Sequence, residues 1–125
     1  MRWEHFPHDA DIGVRGFGAT PAEAFEQAAL ALTAAVTYLA RTVNCCVSAL
    51  VGGGPFLRPK KFRSTSTAAY AAKIDGTRLQ GTLRGEPVDV TRHAPACEPK
   101  GATYTALKVA QETDGLWSAA CVVDV

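Results

Sequence analysis

The sequence predicts an α+β fold: a two-layer sandwich in which one amphipathic helix packs on a mostly antiparallel or mixed sheet. Three observations carry this. A capped helix signal opens at Thr20. Several short runs alternate in polarity with a period of two. Two Asp-Gly pairs, Asp75-Gly76 and Asp114-Gly115, punctuate those runs as hairpin turns do.

In chain order, Trp3 to Phe6 reads as a short strand and His8-Asp9-Ala10-Asp11 as a polar turn. Ile12 to Phe17 sets Ile12, Val14 and Gly16 against Gly13, Arg15 and Phe17, a strand thin in side chains. Gly16 and Gly18 let another backbone come close. Thr20, Pro21 and Glu23 then form a capping box with proline at the first helical position. Phe25, Ala28, Ala29, Leu32 and Val36 follow at spacings of three and four. The result is an apolar stripe on a helix from Pro21 to Val36, with alanines small enough to lie close on a sheet.

The stretch 39–69 breaks the pattern. Gly52-Gly53-Gly54-Pro55 interrupts any regular element, and Arg58-Pro59-Lys60-Lys61 and Ser64-Thr65-Ser66-Thr67 read as loop or disordered chain. Order returns with Tyr70–Ile74 and Thr77–Leu83 around the first Asp-Gly pair. Gly101–Val109 alternates, with Ala102, Tyr104, Ala106 and Lys108 expected on one face. Trp117–Val123 returns after the second pair, and Tyr104 and Trp117 are expected to face each other across that hairpin.

Composition limits the classes of function. The chain has 125 residues, 47% of them hydrophobic and 20% charged, which suits one globular domain over 1–125. No apolar run is long enough to span a bilayer and no secretory leader opens the chain, so no membrane role is expected and the location reads as cytoplasmic. Cys45, Cys46, Cys97 and Cys121 show no metal or disulfide framework and are expected as reduced thiols. The net charge of +1 hides an asymmetry. No acid lies between Glu26 and Asp75, whereas Arg41, Arg58, Lys60, Lys61, Arg63 and Lys73 do. That basic middle makes an RNA-binding module or chaperone one functional reading, although its aromatics form no recognisable RNA-stacking pattern. No catalytic triad or phosphate loop stands out, so no enzyme is expected.

The opening His5-Phe6-Pro7-His8-Asp9-Ala10-Asp11-Ile12-Gly13 and the helix Ala24-Phe25-Glu26-Gln27-Ala28-Ala29-Leu30-Ala31-Leu32 resemble the start of the archease family. Gly85-Glu86-Pro87-Val88-Asp89 with His93, Lys100-Gly101-Ala102-Thr103-Tyr104, and Val123-Asp124-Val125 resemble its later segments. Together these cover roughly 2–37 and 70–125. Asp9 replaces the usual Thr, and Thr105 stands where His or Ser commonly follows the tyrosine. The family's second amphipathic helix is expected to be lost or altered within 39–69, as a frameshifted reading would leave it.

The resemblance implies a non-enzymatic partner of an RtcB-type RNA ligase. Such a protein promotes guanylylation and multiple turnover in tRNA splicing or RNA repair, and associates with RNA only indirectly. It also implies a divalent cation, commonly Ca2+, held by Asp11, Asp124 and Val125. The chemistry is coherent: Ca2+ takes hard oxygen donors, and these residues supply two carboxylates, a backbone oxygen and a terminal carboxylate. Without the family, an Asp in a turn is ordinarily a turn former, and one near a terminus is simply solvated. Asp9 is either a fourth oxygen donor or a turn cap. His8 either orients the ligands or lies on the surface, while His5 and His93 read as satisfied polar residues.

Overall fold

A computed structural model of the chain describes residues 2–36, 47–52, 65–76, 78–87, 91, 97 and 100–125. They fall into two compact units, one of Met1–Leu32 with Pro99–Val125 and the other of Thr33–Glu98.

The first unit is built on a four-stranded antiparallel sheet. Its strands are β1 (Arg2–His8), β2 (Asp11–Gly18), β6 (Gly101–Gln111) and β7 (Trp117–Asp124), in the order β1-β2-β7-β6. The helix α1 spans Pro21–Val36 as its sequence requires. The Thr20 hydroxyl accepts from the Glu23 N–H at 3.2 Å. The Glu23 carboxylate reaches back one residue further than a capping box does, accepting from the Ala19 N–H at 2.7 Å.

Parity along β2 decides which side chains meet the helix. Ile12 and Val14 from β2, Cys121 and Val123 from β7, and Ala31 and Leu32 from α1 form one apolar cluster. Burial of each valine contributes on the order of 1.5–3 kcal/mol. Gly16 lies on the same face, where a β-carbon would run into the Ala24 carbonyl oxygen and the Ala28 backbone nitrogen. The glycine is what lets the helix backbone approach the sheet. His5, also on this face, binds the Ala31 carbonyl through Nε2 at 2.6 Å. A carbonyl can only accept, so Nε2 carries the hydrogen.

The opposite face of β1 and β2 carries a charged stack. Arg2 lies 3.8 Å over the Phe17 ring and Arg15 4.7 Å over the Phe6 ring. Glu4 bridges the two guanidiniums, at 2.7 Å from Arg15 and 3.6 Å from Arg2. The Phe6 ring lies across Gly13, filling the space that residue leaves open.

The second unit contains a three-stranded antiparallel sheet of β3 (Val47–Gly52), β4 (Thr65–Asp75) and β5 (Arg78–Pro87), ordered β3-β5-β4. This corrects the reading of 39–69 as loop. Val47–Gly52 pairs with β5, and β4 begins at Thr65 rather than Tyr70. Ladder pairing recruits weak, polar sequence such as Thr65-Ser66-Thr67 that local pattern leaves as loop. The expectation of a lost second helix otherwise falls on 37–46 and 53–64, outside the described residues.

Two further details differ from the sequence reading. Asp75 pairs with Arg78, so it ends the strand, and Gly76, at φ 60°, opens the turn. In β6 the register breaks between Thr103 and Lys108, with Ala106 at φ 55°. That irregularity inserts extra residues opposite Cys121 and destroys simple alternation. Ala102 faces as Val123 does, whereas Lys108 pairs with Ala120 on the other side. Tyr104 stands out of the ladder, 82% exposed, while Trp117 pairs with Gln111. The two aromatics therefore do not form the expected cross-strand pair.

Candidate metal centre

All four strands of the first sheet have one of their ends here. His8 pairs with Asp11 in the last rung of β1 and β2 before the turn. Ile12 pairs with Val123, so the same register carried one step further sets Asp11 beside Asp124. Gly101 lies on the far side of Asp124, and the Lys100 N–H donates to the Asp124 carbonyl at 2.8 Å.

Parity then fixes the faces. Ile12 and Val123 point into the helix-covered core. Asp11 and Asp124, each one residue away, belong to the opposite face, as does His8. Neighbouring strands place such opposed side chains about 4.5–5.5 Å apart at Cβ. Two carboxylates held side by side repel each other, and a cation between them removes that cost.

Asp11 and Val125 are half-buried, and Asp124 is exposed. Among the described residues, no three His, Cys, Asp or Glu side chains converge on one point. A site at this sheet end would have two side-chain carboxylates and would draw its further oxygens from the main chain, such as the main-chain oxygens of Val125. That donor set fits a hard divalent cation such as Ca2+ and fits zinc poorly.

Asp9 is resolved as a turn residue. Its φ of 51° lies in the left-handed region, which Asp tolerates better than most residues because its short side chain can bond locally. The two-residue turn it forms with Ala10 fixes the register that brings His8 opposite Asp11.

His8 has one buried ring nitrogen, Nδ1, with no hydrogen-bond partner among the described residues. Such a group ordinarily costs about 1–3 kcal/mol, so it calls for a reason. Sequence reasoning named His8 without being able to see this. It missed the Arg2–Phe17 and Arg15–Phe6 stack altogether, although a two-residue turn at 9–10 would have paired Glu4 with Arg15.

Two thiols are described, Cys97 and Cys121, and both are free. Burial raises the pKa of each. Cys97 also donates weakly to the Ala35 carbonyl at 3.7 Å. His93 and the basic residues Arg58, Lys60, Lys61 and Arg63 lie outside the described residues. No helix among the described residues is long and apolar enough to cross a membrane.

Comparison with known proteins gives a consistent result. The Archease protein family (MTH1598/TM1083) matches residues 3–48 and 56–125. This reaches further into the middle of the chain than the end motifs alone do. Protein archease of Pyrococcus furiosus is 31% identical over 140 residues, covering 99% of both chains. Protein archease of Methanopyrus kandleri is 33% identical over 141 residues, covering 100% of both. The solution structure of Methanobacterium thermoautotrophicum protein 1598 shares the fold, with a TM-score of 0.73, 23% identity and 98% coverage of each chain. A crystal structure from Thermotoga maritima, described as an archease and possible chaperone, aligns with a TM-score of 0.54 at 21% identity. With its end motifs, its helix-on-sheet unit and these matches in agreement, the chain belongs to the archease family.

Proposed function

We propose that this protein is a non-enzymatic protein cofactor, carrying a divalent cation (Ca2+ in our reading), that activates an RtcB-type RNA ligase. The observation that supports it best is the last β2–β7 rung, Ile12 opposite Val123, which brings Asp11 and Asp124 to the same end of an archease-type sheet. Two side-chain carboxylates and the main-chain oxygens of Val125 would hold the cation. The cation supplies a fixed positive charge at the sheet end, able to order anionic or carbonyl groups of the partner. The chain's own residues do the rest. The β2–β7 ladder aligns the strand ends that carry the carboxylates, and the Lys100 N–H bond to the Asp124 carbonyl ties the end of β7 to the neighbouring strand.

The activity that follows is promotion of ligase guanylylation, and hence of multiple turnover, in tRNA splicing or RNA repair. The experiment is a ligase multiple-turnover assay with the intact chain and with Asp124→Ala, each with and without Ca2+. The wild-type chain should stimulate guanylylation, and Asp124→Ala should abolish stimulation while remaining folded by circular dichroism. An unchanged rate with the variant rejects the proposal. Salt-dependent RNA binding that survives Asp11→Ala and Asp124→Ala would favour an RNA-binding module or chaperone instead.

A further inference from the structure

We infer that His8 is a positioning residue of this centre, its Nδ1–H donating to the Asp11 carboxylate when a cation is held. The inference rests on the cation reading above, but a separate observation carries it. His8 Nδ1 is shut off from solvent and has no partner among the described residues, so water cannot satisfy it. Its surroundings leave few partners. Along β1 the next side chain on that face is Phe6, whose ring is apolar and lies over Gly13. The diagonal neighbour on β2 is Gly13, which has no side chain. The residue directly opposite is Asp11.

If Asp11 held a cation through one carboxylate oxygen, its other oxygen would be left to accept from His8. Ligating carboxylates are ordinarily held by such a bond, and removing it weakens metal binding about 10- to 100-fold. Direct ligation by His8 is the poorer assignment, because His8, Asp11 and Asp124 do not converge as a three-ligand set.

The test is calorimetric titration of the full chain with Ca2+, for the wild type, Asp11→Asn, His8→Phe and His8→Asn. Asparagine keeps an N–H near the Nδ1 position, whereas phenylalanine keeps the ring and loses the donor. His8→Phe should weaken Ca2+ binding about 10- to 100-fold, and His8→Asn should restore most of that loss. In ring-15N-labelled protein, a slowly exchanging Nδ1–H signal should appear only in the Ca2+ form. Equal weakening by both His8 variants, or wild-type affinity in His8→Phe while Asp11→Asn abolishes binding, overturns the His8 assignment and leaves the cation site standing. Wild-type Ca2+ affinity in Asp11→Asn, or no Ca2+ binding by the wild-type chain, overturns both.

Discussion

Gly16 of β2 meets the backbone nitrogen of Ala28 in α1 with no room for a side chain between them. The contact sets the distance between helix and sheet for the whole first unit. Gly16→Ala should therefore push the helix off the sheet and cost about 1–3 kcal/mol or more, because the obstructing atoms are backbone and cannot rotate away. Urea unfolding of the variant measures it. A wild-type midpoint would show that the helix can move outward without loss.

Asp9 and Ala106 both adopt positive φ without being glycine, at 51° and 55°. Asp9→Val should destabilise by about 1–2 kcal/mol, whereas Asp9→Gly and Ala106→Gly should be neutral or stabilising. Thermal melts of the three variants give the comparison. Glycine within a strand normally weakens it, so a gain at Ala106 is diagnostic of the break in β6.

The Glu4 bridge between Arg2 and Arg15 is in contact with solvent, with every side chain more than a third exposed. Its contribution should be small. Glu4→Gln should cost no more than about 1 kcal/mol, and the cost should shrink in 1 M salt. The two arginines keep their phenylalanine contacts in the variant, so a much larger loss would mean the stack acts as one cooperative unit.

Cys121 is packed beside Val14 and Val123, and burial raises its thiol pKa above the unfolded value. A raised folded pKa makes the neutral thiol the stabilising form. That stability is fully present below the unfolded pKa of about 8.5 and is lost as pH rises through the folded value. The fall in unfolding free energy between about pH 8 and pH 10 should be steeper in the wild type than in Cys121→Ala. Denaturant titrations at the two pH values check it, and parallel slopes would contradict the assignment.

Much of the first unit was legible in the chain. Thr20, Pro21 and Glu23 set where α1 begins, and the spacing from Phe25 to Val36 set its buried face, because helix signals are local and periodic. The end motifs named the family and singled out Asp11, Asp124 and Val125. Sequence alone could not show that Asp11 and Asp124 come to the same end of one sheet, since 113 positions separate them in the chain. That follows from β2 pairing with β7, a tertiary choice driven by burying Ile12, Val14, Cys121 and Val123 under the helix. The ladder also decided what alternation got wrong. Cross-strand bonds drew Val47–Gly52 and Thr65-Ser66-Thr67 into strands that local pattern had left as loop. The break before Lys108 turned half of β6 over, because two strands of unequal length between fixed ends can close only by extruding residues. Sequence determined the helix, the turns and the candidate ligands, while register, which is non-local, determined which of them meet.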